Sequence, residues 1–293
     1  MNTRPSHCRF RKTSQIWCAL AAILGLFLFA EPAVALRYSP IPMVNQEKVV
    51  ADTRPFLDYL EAELGREIRL IYPRDNAQVV QDFVDDRLDL AEVGPLPYLL
   101  LRELAPHAQA VLFFLEQGAG ATYTCALVAP FDGVASVEQL GAFNPLRLAS
   151  TQRLSTCGPL TTSWLLAQGG INPRPVEFVH LGNHEKVALA IARAEFAAGG
   201  MKTLVARRYH HLGVRVLAQT PPLPVFALVV NTRTLPAAEV ADLVAALLRA
   251  TPEIRASWVV GGHGFAEVEP GAYKSLERVL LDLELSVQEF FAP

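Results

Sequence analysis

The chain has 293 residues, 51% of them apolar, with 26 Lys and Arg against 29 Asp and Glu. Four of the basic residues (Arg4, Arg9, Arg11, Lys12) and one acid (Glu31) fall within the first 35, which leaves 22 against 28, a net charge of −6, for the other 258. That balance argues against a nucleic-acid or anionic-membrane partner, both of which need a basic face, and 258 residues suffice for one large or two medium domains.

Residues 1–35 read as a cleaved export signal. A basic stretch, "MNTRPSHCRFRK", precedes the apolar "IWCALAAILGLFLFA", and "AVA" at 33–35 has the small-x-small pattern of a cleavage site. The expectation is a periplasmic protein that starts near Leu36, with no membrane insertion after cleavage; an uncleaved anchor is the competing reading. Cys8 and Cys18 would leave with the signal, so only Cys125 and Cys157 would remain.

From Leu36 on, short apolar runs alternate with longer amphipathic ones, the pattern of an α/β protein. "LRYSPI" reads as a strand and 54–65 as a helix that stops at Gly65. "EIRLIYP" and "LDLAEVG" are strands, with the helix "NAQVVQDFVDDR" between them and "LPYLLLREL" entered through Pro95. Strands follow at "AQAVLFFLE" and "TYTCALVAP". A second cycle runs through "LRLAS", the helix 161–168, "PVEFVHLG", the helix 185–194, "KTLVARRY" and "GVRVLAQ". "VFALVVN" looks like a strand crossing back, and "AAEVADLVAALLRA" and "GAYKSLERVLLDLELSVQEFF" are helical. Two α/β units joined by two crossings imply two lobes around a cleft, with 36–130 plus 224–293 as the first and 131–223 as the second.

Ligands in such sheets gather at the carboxyl ends of strands, beside helix N-termini. Four loops qualify. In "RLSTCG", Ser155, Thr156 and Gly158 surround Cys157 just ahead of a helix, where hydroxyls and free N–H groups favour an anion. His184 in "LGNHEKV" opens the next helix, Tyr98 in "VGPLPYLLL" lies near the start of its helix, and Tyr123 shares a strand face with Cys125. Read singly, these are a helix cap, a surface histidine and core aromatics. No Cys-x-x-Cys or His-Glu-x-x-His occurs, so neither a metal site nor a cofactor is expected.

The four loops, in this order, resemble the periplasmic substrate-binding proteins for phosphonate, phosphite and phosphate. "LDLAEVGPLPY", "STCG", "LGNHEKVALAI" and "AAGGMKTLVARRY" carry the likeness, which spans nearly all of the chain beyond the signal. The resemblance implies the two-lobed type II periplasmic-binding-protein fold. It implies an oxyanion held by Ser155, Thr156 and the helix N–H groups, with His184, Tyr98 and Tyr123 as further contacts. It also implies no enzymatic activity, and a membrane partner that is a permease of an ABC importer or the periplasmic sensor domain of a histidine kinase. Two departures stand out: Cys157 replaces the usual third hydroxyl, and Ala197 stands where the family often has an aspartate.

Three roles stay open for Cys125 and Cys157: a disulfide, inert buried thiols, or ligands to a soft metalloid. The third tilts the expectation toward arsenite or arsenate, because the resemblance extends to a branch of the family that senses arsenic oxyanions. The first fits an ordinary phosphorus-oxyanion importer protein. A cysteine hydrolase with Cys157 as nucleophile and His184 as base is the reading from another class.

Overall fold

The structure, a computed structural model, describes Met1, residues 34–42 and residues 45–290; the expected export signal, with Cys8 and Cys18, lies outside them except at its ends. The first lobe opens with β1 (Leu36–Ser39), α1 (Gln46–Leu64), β2 (Ile68–Leu70), α2 (Asn76–Val84), β3 (Leu90–Val93), α3 (Pro95–Leu104) and β4 (Ala108–Phe114). Asn45 caps α1 by accepting the Lys48 N–H, and Gly65 ends it with a left-handed φ of 61°. The helix therefore starts eight residues before the expected Arg54, with Pro55 inside it, because Thr53, Phe56, Leu57 and Leu60 continue one buried stripe. Asp75 caps α2 in the same way, through the Gln78 N–H.

The short β5 (Thr122–Tyr123) leads out of this lobe. The second lobe follows as β6 (Cys125–Pro130), β7 (Arg147–Ser150), α4 (Thr161–Gln168), β8 (Glu177–His180), α5 (His184–Ala192), β9 (Gly199–Lys202), α6 (Thr203–Arg208) and β10 (Val214–Gln219). The return strand β11 (Leu223–Pro224) pairs antiparallel with β5, Leu223 opposite Tyr123, so two strands side by side connect the lobes. The first lobe is then completed by β12 (Ala227–Asn231), α7 (Ala237–Arg249), β13 (Phe265–Glu267) and α8 (Lys274–Leu283).

The two sheets follow one plan. In the first the order is β13-β4-β12-β3-β1-β2, and in the second it is β10-β6-β9-β7-β8. Each holds one strand that has just come through the hinge, β12 between β3 and β4 and β6 between β9 and β10, and each such strand runs antiparallel to both neighbours. The second sheet therefore takes its first strand from ahead of residue 130. "TYTCALVAP" looks like a single strand, but its pairing changes partner at Thr124, and β6 belongs to the second sheet.

Both inserted strands are buried along their length, as their uninterrupted apolar sequences require. Residues 36–290 pack as one compact unit. One apolar cluster runs from Val80, Phe83 and Leu100 of the first lobe past Tyr123 to Leu154, Cys157 and Leu160 of the second, with Tyr273 and Leu276 closing it behind.

Candidate functional site

Between the lobes lies a cavity of about 720 Å³, within the usual range for a small-molecule site. The second lobe brings the "RLSTCG" loop to it. Ser155 opens a five-residue π-type turn, Thr156–Leu160, which bends at Gly158 before α4 begins. Glycine is required at that bend, since a Cβ there would stand 2.9 Å from Thr151 Oγ1 and 3.0 Å from Ser150 Oγ. Ser155, Thr156, Cys157 and Thr151 line the cavity, and the buried Thr151 hydroxyl has no hydrogen-bond partner among the described residues. Thr156 Oγ1 accepts the Leu96 N–H at 3.0 Å, so a hydroxyl of one lobe satisfies an unpaired donor at the start of α3 in the other. Its own proton remains free to donate to the neighbouring Tyr123 hydroxyl or to a ligand.

His184 is the first residue of α5, which Asn183 caps through the Lys186 N–H at 2.8 Å. Its Nδ1 accepts the backbone N–H of Lys202 at 3.2 Å, which leaves the proton on Nε2 as a hydrogen-bond donor on the cavity wall. Burial, and then the positive charge of Lys202, lower the imidazole pKa to about 4. The ring is neutral at pH 7.

Three charged residues that local sequence patterns do not single out face the same space. Glu92 on β3 and Glu116 beyond β4 come from the first lobe, and Lys202 at the end of β9 comes from the second. Lys202 Nζ forms an ion pair with Glu116 and lies 4.9 Å and 5.2 Å from the ring centroids of Tyr123 and Phe226. No ion pair or hydrogen bond within the described residues reaches the Glu92 carboxyl. Burial raises its pKa to about 7, with Lys202 pulling it down and Glu116 pushing it up. One signal was present in the sequence: a glutamate inside the apolar run "LDLAEVG" is out of place for a buried strand.

Of the expected contacts, Ser155, Thr156, Cys157, His184 and Tyr123 come together at the cavity, whereas Tyr98, Gly158 and Cys125 do not line it. Tyr98 lies behind the cavity wall. Pro97, its neighbour on α3, faces the cavity, while Tyr98 is turned about 100° away around the helix. Its ring packs tilted against Tyr273 at 4.7 Å between centroids, and its hydroxyl accepts the Ala110 N–H. Gly158 shapes the bend from behind, and Cys125 is fully buried.

The cysteines are also resolved. Cys125 and Cys157 form a disulfide with Cα atoms 5.1 Å apart. In that state neither sulfur is a thiolate, so neither can ligate a metalloid or attack a carbonyl. The thiol-ligand argument for arsenite loses its basis, and so does the cysteine-hydrolase reading. Ala197 packs against the apolar core of the second lobe, and the carboxyls that line the cavity are Asp52, Glu92 and Glu116 of the first lobe and the exposed Glu185 of the second.

Residues 38–274 match the family model of the ABC transporter, phosphonate, periplasmic substrate-binding protein. The chain belongs to that family. Solved structures agree on the fold. PhnD1 from Prochlorococcus marinus in complex with methylphosphonate is 18% identical, over 85% of this chain and 98% of that one, with a TM-score of 0.71. A binding protein component of an ABC phosphonate transporter from Pseudomonas aeruginosa is 17% identical over 85% and 86%, with a TM-score of 0.72. A Xanthomonas citri protein bound to ATP is 19% identical over 88% and 99%, also at 0.72. The fold is thus the two-lobed type II periplasmic-binding-protein fold, and the family places its members in the periplasm. Among the described residues no helix is long and apolar enough to cross a membrane.

Proposed function

We propose that this protein captures a small phosphorus oxyanion (a phosphonate, phosphite or phosphate) and presents it to the permease of an ABC importer, after export and removal of residues 1–35. The observation that carries the reading is the set of neutral donors at one interlobe cavity: His184 Nε2–H with the hydroxyls of Ser155, Thr156 and Thr151. Such donors stabilise an oxyanion without needing a charge of their own, and two hinge strands allow the lobes to close on it. The Cys125–Cys157 disulfide is structural in this reading, holding the hydroxyl-bearing turn to the first strand past the hinge. The family match favours the importer permease over a sensor kinase as the membrane partner.

Calorimetric and thermal-shift titration of the purified protein, with its disulfide intact, tests this with methylphosphonate, phosphite, phosphate, arsenate and arsenite. At least one phosphorus oxyanion should raise the melting temperature by mass action, and arsenite should act no differently on the disulfide-bonded protein and on a Cys125→Ser/Cys157→Ser variant. A protein that responds to none of the phosphorus oxyanions would overturn the proposal.

A further inference from the structure

The cavity that is to receive an anion already contains one. Glu116, from the first lobe, reaches the Lys202 ammonium, from the second, and the two side chains are only 15% and 14% exposed. Lys48, Lys186 and Arg208 also border the cavity, but all three are exposed at its rim, and Lys48 is paired with Asp52. Lys202 is the cation held inside. It is also fixed from several directions: its backbone N–H sets the His184 tautomer, and its ammonium lies over Tyr123 and Phe226, which stand in and beside the two hinge strands.

We propose that Lys202 is a ligand-binding residue and that Glu116 occupies the ligand's place on it: an entering oxyanion takes the ammonium and releases the carboxylate. The inference rests on the anion reading above and adds a charged partner to its neutral donors. The charges of the cleft support it. With Glu116 and Glu92 on one wall, an oxyanion that left the ion pair untouched would meet one compensated cation and, wherever Glu92 is ionised, a second negative charge. Taking Lys202 gives the ligand a charge-assisted bond beside the His184 donor, at the cost of freeing Glu116 toward the solvent-exposed turn at residues 117–120. The exchange also separates an ion pair that ties the lobes together, so occupancy and interlobe contact become linked.

A double-mutant cycle read by calorimetry with methylphosphonate and inorganic phosphate tests this. Lys202→Met should weaken binding about tenfold or more, and Lys202→Arg should restore much of it. Glu116→Gln should tighten binding several-fold by removing the internal competitor, and that gain should vanish in the Lys202→Met background. Circular dichroism and melting curves identify a variant that fails to fold, in which case Lys202→Gln replaces Lys202→Met. If the wild type binds and the Lys202 variants bind as tightly, the assignment of Lys202 is wrong while the anion reading stands. If Glu116→Gln weakens binding, the stand-in role is wrong. If the wild type binds neither oxyanion, both readings fall together.

Discussion

Glu92 and His184 share one cavity that favours the neutral form of each, by raising the proton affinity of one and lowering that of the other. The Glu92 carboxyl, at about 7 against an ordinary 4.5, binds its proton more tightly in the folded protein than in the unfolded chain. Its contribution to stability is therefore fully present below pH 4.5, declines as the pH rises toward 7, and does not change further above that; the loss is on the order of 3 kcal/mol at most. His184, at about 4 against 6.5, runs the other way: its neutral form supports folding above pH 6.5, and that support is lost as the pH falls toward 4. The two trends oppose each other in the wild type, so a comparison of variants is needed to separate them. Glu92→Gln should melt close to the wild type at pH 4.5 and progressively above it up to about pH 7.5. A gap in melting temperature that stays constant across that range would show that the Glu92 carboxyl does not keep its proton.

The disulfide acts at the level of elements. It joins the first residue of β6 to the turn that carries Ser155 and Thr156, closing a loop across a sequence separation of 32 residues. Closing a loop of this length restricts the unfolded chain by about 3–4 kcal/mol in the chain-entropy picture. The Cys125→Ser/Cys157→Ser variant should therefore unfold at clearly lower denaturant, with a somewhat steeper slope because its unfolded chain is less compact, and should bind its ligand less tightly because the turn loses its anchor. A variant as stable as the wild type would mean that apolar packing alone fixes the turn. The turn itself could be read from sequence because its parts are local: a strand, two hydroxyls, a glycine and a helix within about twenty residues. His184 was legible for the same reason, beside its capping Asn183. Tyr98 was not, since proximity to a helix start does not determine which way a side chain turns. The ion pair was least legible of all, because Glu116 and Lys202 are 86 residues apart and meet only when two lobes face each other.

For the whole molecule, a few polar contacts join the lobes beside the apolar cluster they share. Asn76 donates through its backbone to Gln152 Oε1 and through its side chain to the Leu154 carbonyl, Gln152 donates onward to the Pro42 carbonyl, and Trp164 reaches Asp282 on α8. The two-lobed plan was legible from the alternation of apolar and amphipathic runs. The exact crossing point was not, because an apolar strand carries no mark of which sheet it joins.

The exchange of strands through the hinge also gives the chain an order of assembly. The second sheet draws all of its strands from one continuous stretch, 125–219, whereas the first cannot be filled until β12 arrives about 135 residues after β3, its neighbour. Closing that long loop costs entropy before any pairing rewards it. During refolding, pulse-labelled amide exchange should find β6, β7 and β9 protected before β3 and β4. Simultaneous protection would mean that the lobes form as a single unit. In the expected order, the half of the molecule that carries Ser155, Thr156 and His184 is built first, and the half that carries Glu92 and Glu116 is sealed last.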